Sequence, residues 1–153
     1  MATMTMFNLY NEILNEHNLH PENKFKLEDA TDSEHGVNPN CGDEITLSVK
    51  LNGDVIEDAA FEGSGCAISQ ASTDIMIDLM LDNTVEKAKE LCHLFIGMVQ
   101  GTITDEKTLE PLQEALTFKN ISKMPARVKC AVLSWHTMEI LLDKAVAKAK
   151  NAK

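Results

Sequence analysis

Ile45-Thr46-Leu47-Ser48-Val49-Lys50-Leu51-Asn52-Gly53-Asp54-Val55 decides the fold. Four apolar residues alternate with three polar ones, the period of a strand buried on one face. Asn52-Gly53 then provides a tight hairpin turn, because both residue types tolerate positive φ. A second strand is expected from Val55 to about Glu62, and Gly63-Ser64-Gly65 ends it. From Cys66 onward the period changes to that of helices.

Four helices are expected beyond that point. The first covers residues 67–81, with Ile68, Ala71, Ile75 and Leu79 on one face. Thr84 caps the second, whose apolar stripe is Val85, Ala88, Leu91, Cys92, Phe95, Ile96 and Val99. A short helix covers residues 109–118, with Pro111 in its first turn. Pro125 opens the last and longest, with Val128, Val132, Trp135, Leu142 and Val146 inward. Its lysine-rich tail suits a helix C-terminus.

Upstream of the hairpin, residues 5–18 read as an amphipathic helix. Thr5 is its cap, and Phe7, Tyr10, Ile13, Leu14 and His17 are its stripe. Residues 19–43 read as irregular, broken by Pro21, Asp32, Gly36 and Pro39. Asn38, Pro39 and Asn40 read as an exposed polar turn. The fold class is α+β: a small antiparallel β-sheet with helices packed on one face, a single domain over residues 1–153.

With 153 residues, 44% of them apolar, the chain can bury a core without cross-links. Its 24 acidic and 14 basic residues leave a net charge of −10. That balance disfavours nucleic acid and anionic membrane surfaces as partners. No apolar run approaches the ~20 residues that span a bilayer. Met1 to Tyr10 lacks a basic region followed by an apolar core, so no secretory signal is expected and the location is cytoplasmic. Cysteines in that setting serve more often as ligands, nucleophiles or core residues than as disulfides.

Of the four cysteines, three stand near the start of a regular element. Cys41 precedes the first strand, and Asp43, two residues on, shares its side of an extended chain. Cys66 enters a helix, whose N-terminus favours a thiolate. Cys130 lies early in the last helix, with Arg127 and Lys129 nearby. Three thiolates and a carboxylate make the four ligands of tetrahedral zinc. Thiolate sulfur also suits iron–sulfur clusters. Spacing alone leaves a metal site and a set of small core residues both open. Cys92 lies on an apolar stripe and reads as core. His17, His20, His35 and His136 lack ligand spacing, although His35 is a candidate partner contact.

Asn40-Cys41-Gly42-Asp43-Glu44, the strand Ile56-Glu57-Asp58-Ala59-Ala60-Phe61, the run Gly63-Ser64-Gly65-Cys66-Ala67-Ile68-Ser69 and the late Cys130 together resemble the IscU/NifU-type iron–sulfur cluster assembly proteins. The resemblance covers about residues 5–145. Lys129 stands where scaffolds of that family have a His. Ser122-Lys123-Met124-Pro125-Ala126-Arg127-Val128-Lys129 replaces their chaperone-binding Leu-Pro-Pro-Val-Lys motif, and extra residues fall between 85 and 104. These departures look like the SufU branch of Gram-positive bacteria. That resemblance implies zinc held by Cys41, Asp43, Cys66 and Cys130, with Arg127 and Lys129 offsetting excess negative charge from around the ligands. It implies a zinc-dependent sulfurtransferase that takes persulfide sulfur from a PLP-dependent cysteine desulfurase (SufS-like) and passes it toward SufBCD-type machinery. Cys41, on a loop, is the expected acceptor and catalytic residue. The alternatives are a scaffold on which a [2Fe–2S] cluster is assembled, on iron rather than zinc, and a binding module with a structural zinc.

Overall fold

The computed structural model describes residues 6–39 and 42–151, with side chains for 12–39 and 42–150. The Thr5 cap, the Phe7 and Tyr10 contacts and Cys41 therefore lie outside the described residues. In chain order the elements are α1 (Met6–Leu19), β1 (Asp32–Asn38), β2 (Asp43–Asn52), β3 (Val55–Ser64), α2 (Ala67–Met80), α3 (Val85–Gln100), α4 (Glu106–Leu109), a 3₁₀ segment (Glu110–Lys123) and α5 (Pro125–Asn151).

The three strands form an antiparallel sheet in the order β1-β2-β3. Ile45, Leu47 and Val49 are fully buried on its inner face, as the alternation requires. Asn52 pairs with Val55, so the two-residue loop is Gly53-Asp54, one residue later than the Asn-Gly pair suggested. Gly53 takes the positive φ, at 66°.

α2 and α5 lie on the inner face of the sheet. α1 packs on α2, and α3 packs on α5 and the 3₁₀ segment. α2 is buried on nearly every side, where a single apolar face was expected. Trp135 of α5 stacks on Phe95 of α3 at 4.0 Å between ring centroids, and Phe118 meets Phe95 edge-on at 5.7 Å. The Trp135 indole donates to Ser72 Oγ (2.9 Å), which donates to the Ala131 carbonyl (2.7 Å), tying α2 to α5. Among the described residues no helix is long and apolar enough to cross a membrane.

Two expectations need correction. The helix expected over 109–118 is α4 followed by the 3₁₀ segment, broken at Gln113, whose φ of 48° and ψ of −120° are not helical. The irregular stretch 19–43 contains a whole strand, β1. Its pattern is inverted: Val37 faces out, and the inward residues are Asp32, Glu34, Gly36 and Asn38. Each faces α5. Lys148 lies 3.8 Å from Asp32, and Lys144 pairs with Glu34 at 2.6 Å. Gly36 lies so close to Thr137 that a Cβ would collide with its hydroxyl. Asn38 reaches Cys130. A strand with a polar inner face carries no period-two hydrophobic signal, so only the helix beneath it explains it.

Candidate metal centre

β1 ends at Asn38 and β2 begins at its partner Asp43, so residues 39–42 are the sequence connection between the two strands. Cys41 belongs to that connection and lies outside the described residues. Asn38 is buried rather than exposed, whereas Pro39 is exposed as expected and Asn40 lies outside the described residues.

Asp43 is fully buried. Its Oδ1 accepts the Cys66 backbone N–H at 2.8 Å. Gly65 makes this approach possible, because a Cβ there would sit 2.6 Å from Asp43 Oδ1. Cys66 caps α2 as expected: its backbone is extended, and its Sγ accepts the Ser69 N–H at 3.5 Å. Cys130 is buried in the second turn of α5, its Sγ 3.7 Å from the Ala126 carbonyl and 3.9 Å from Asn38 Nδ2. A sheet edge, a helix N-terminus and a second helix thus bring Asp43, Cys66 and Cys130 together. One ligand atom from each lies within 4.8 Å of the other two. A tetrahedral ion with bonds of ~2.3 Å to sulfur separates its sulfur ligands by roughly 3.8 Å.

Asp43 Oδ2 tests the fit of a cation. It is buried and has no hydrogen-bond partner among the described residues. A buried carboxylate oxygen without a partner costs far more than a paired one. The two cysteine sulfurs beside it are soft donors and supply no strong hydrogen. A divalent cation satisfies all three groups at once, so the donor set fits zinc and, by its thiolates, iron.

The remaining candidates separate cleanly. Arg127 and Lys129 are exposed on the first turns of α5. Lys129 lines a groove of about 580 Å³ with Asn38, Val128 and Val132. Cys92 is fully buried on the α3 stripe, and burial pushes its thiol far above the ordinary range, so it is a core residue. His35 is exposed, beside Thr46 Oγ1 (3.1 Å) and Glu44 (3.2 Å).

A second polar cluster, His17, Asp74 and Asp78, was not legible in the sequence. Hydrogen bonds to one another and to Asn23 and Glu114 occupy its groups. His17 Nδ1 meets Asp74 Oδ2 at 2.6 Å, and Nε2 meets Glu114. Asn23 donates to Asp74 Oδ1 (3.0 Å) and Asp78 Oδ1 (2.8 Å). Burial lowers the His17 pKa, but the hydrogen bonds to Asp74 and Glu114 outweigh it and leave the value raised. The available signal was Asp74 beside the apolar Ile75 and Met76, one turn before Asp78.

Comparison with known proteins bears on the family and the fold. Residues 9–151 match the family model described as the NifU-like N-terminal domain. The zinc-dependent sulfurtransferase SufU of Bacillus subtilis (strain 168) is 40% identical over 140 residues, covering 92% of this chain and 90% of the relative. The iron–sulfur cluster assembly scaffold protein IscU of Streptococcus pyogenes serotype M1 is 36% identical over 152 residues, 99% of this chain and 91% of the relative. The crystal structure of a scaffold protein assigned to the SUF system of Fervidobacterium islandicum AW-1 superposes with a TM-score of 0.80. It is 40% identical and covers 88% of this chain and 96% of that one.

Proposed function

This chain belongs to the family of NifU-like N-terminal domains, and from that premise we propose that it serves iron–sulfur cluster assembly as a zinc-dependent sulfur acceptor. The observation that carries the reading is Asp43: a buried carboxylate with one oxygen held by the Cys66 N–H and the other without a partner among the described residues, beside two cysteines. Cys41, two residues before Asp43, supplies the fourth ligand. Arg127 and Lys129 lower the excess negative charge of three thiolates and a carboxylate.

Bound zinc keeps the cysteines as thiolates at neutral pH and has no redox chemistry of its own. The residues then divide the work. Cys66 and Cys130 are fixed by helices, so they stay. Cys41 belongs to a strand connection and is the acceptor. Its thiolate attacks the outer sulfur of a persulfide on a PLP-dependent cysteine desulfurase. The partner's S–S bond breaks, a new S–S bond forms on Cys41, and the electron pair leaves with the partner's cysteine as a thiolate. Sulfur moves without net oxidation, so no further oxidant is required. The same exchange then passes it to SufBCD-type assembly machinery in the cytoplasm. Lys129, at the position where the resemblance to IscU-type scaffolds implies a His, supports this reading over assembly of a [2Fe–2S] cluster on the same ligands.

The test combines metal analysis with peptide mass spectrometry. Protein purified without added iron should hold one equivalent of zinc and no visible chromophore. After incubation with desulfurase and cysteine, an extra sulfur should appear on the Cys41 peptide. Cys41→Ala should abolish the transfer, and Cys92→Ala should not. A coloured, sulfide-containing protein would establish the scaffold reading instead. Sulfur on the Cys66 or Cys130 peptide, with Cys41 unmodified, would overturn the acceptor assignment.

A further inference from the structure

We infer that Asn38 is a positioning residue for the metal centre, its side-chain amide holding the Cys130 sulfur as the thiolate that stays in place. The inference rests on the zinc reading above. It begins with β1, whose inward residues meet α5 rung by rung: Asp32 with Lys148, Glu34 with Lys144, Gly36 with Thr137. The fourth rung is Asn38, and it lands on Cys130, with Nδ2 3.9 Å from Sγ. The other rungs join ordinary residues. This one joins the strand to a sulfur within 4.8 Å of Asp43 and Cys66 ligand atoms.

Asn38 is 7% exposed at a sheet edge, where an apolar residue would pack as well and would carry no desolvation cost. An amide N–H has a chemical use there that an apolar group lacks. A donor aimed at a thiolate shortens and strengthens the contact as the sulfur gains charge. It engages a sulfur lone pair and draws electron density from it. That sulfur becomes a weaker nucleophile and a better-oriented ligand, as outer partners of metal ligands do generally. Asn38 also pairs with Asp43 and starts the connection 39–42 that carries Cys41. One residue therefore fixes Cys130 and sets where the Cys41 connection begins.

The test uses the full chain loaded with cobalt(II) or zinc, comparing wild type with Asn38→Ala and Asn38→Asp. The aspartate variant keeps the shape and removes the N–H, so it serves if the alanine variant folds poorly. Glu34→Gln is the control, since it loosens a neighbouring rung without touching a sulfur. Both Asn38 variants should move the sulfur-to-cobalt charge-transfer band to lower energy and weaken cobalt binding about 10-fold. Iodoacetamide on the zinc-loaded protein should modify Cys41 in wild type and Cys130 as well in the variants. The inference is overturned if the band or the alkylation pattern of both variants matches wild type, or if Glu34→Gln shifts the band equally. Wild type that takes up no cobalt on its cysteines would overturn the zinc reading along with it. Wild type that binds cobalt normally, with variants indistinguishable from it, would overturn the Asn38 role alone.

Discussion

Asp43→Asn should change stability in opposite directions with and without zinc. In the metal-free protein Asp43 is a fully buried carboxylate that accepts the Cys66 N–H on one oxygen and, among the described residues, has no partner for the other. Asparagine keeps the acceptor for that N–H and removes the buried charge. An unsatisfied buried polar group costs about 1–3 kcal/mol, more when charged. Relieving it, while adding a neutral NH₂ that itself lacks a partner, should stabilise the metal-free fold by about 1–2 kcal/mol. For a chain of this size that is a rise in melting temperature of about 4 °C.

With zinc the sign turns. Zinc at a thousand times its dissociation constant adds about 4.1 kcal/mol to the folded state. A neutral amide oxygen is a poorer zinc ligand than a carboxylate. A 100-fold loss of affinity, the upper end of what outer partners alone cost, reduces that contribution to about 1.4 kcal/mol. The gain in stability on adding zinc should therefore shrink by about 2.7 kcal/mol, and the order of the two melting temperatures should reverse. The assay is thermal unfolding of both proteins at pH 8, with chelator and with a fixed zinc excess. If the variant melts below wild type by the same interval in both conditions, Asp43 is a structural carboxylate and the argument from its orphaned oxygen fails.

Wild type in chelator should melt lower than with zinc yet still unfold cooperatively, because the core of Trp135, Phe95, Phe118 and the sheet's inner face does not depend on the metal; a random-coil far-UV spectrum after chelation would refute this. Gly36→Ala drives a Cβ into Thr137; overpacking of that kind costs about 1–3 kcal/mol, and the Thr137→Ala double variant should recover most of the loss in thermal melts. The raised pKa of His17 means that its pairing with Asp74 and Glu114 stabilises the fold fully below its ordinary 6.5, a contribution lost as pH rises through the raised folded value. His17→Asn should therefore lower the melting temperature more at pH 6 than at pH 8.5 under equal zinc, and an equal or larger loss at pH 8.5 would show that protonation of His17 is not what holds α1 to α2.

What the sequence made legible, and what it hid, follows from where each signal resides. The β2–β3 hairpin is local: its apolar alternation and its Gly-containing turn lie within a dozen residues, and the structure differs only in placing the turn at Gly53-Asp54. The positions of Asp43, Cys66 and Cys130, which the structure brings together, were equally legible, since each lies near the start of an element whose own pattern is strong. β1 was hidden because its stabilisation is tertiary. Its inward residues Asp32 and Glu34 read as solvent-facing until Lys148 and Lys144, more than a hundred residues away, lie over them. Asn38 was misread for the same reason, as an exposed turn residue when its amide reaches a sulfur 92 positions along the chain. The 3₁₀ segment failed differently: Pro111 and the apolar Leu112, Ala115 and Phe118 fit a helix, but Gln113 takes a backbone conformation that breaks it. The buried Leu112, Ala115 and Phe118 keep their place in the core regardless. Burial follows composition more faithfully than it follows helix type, whereas the polar rungs between β1 and α5 follow neither. Their meaning arises only once both elements are in place, which is why the contact of Asn38 with the Cys130 sulfur has no signature along the chain.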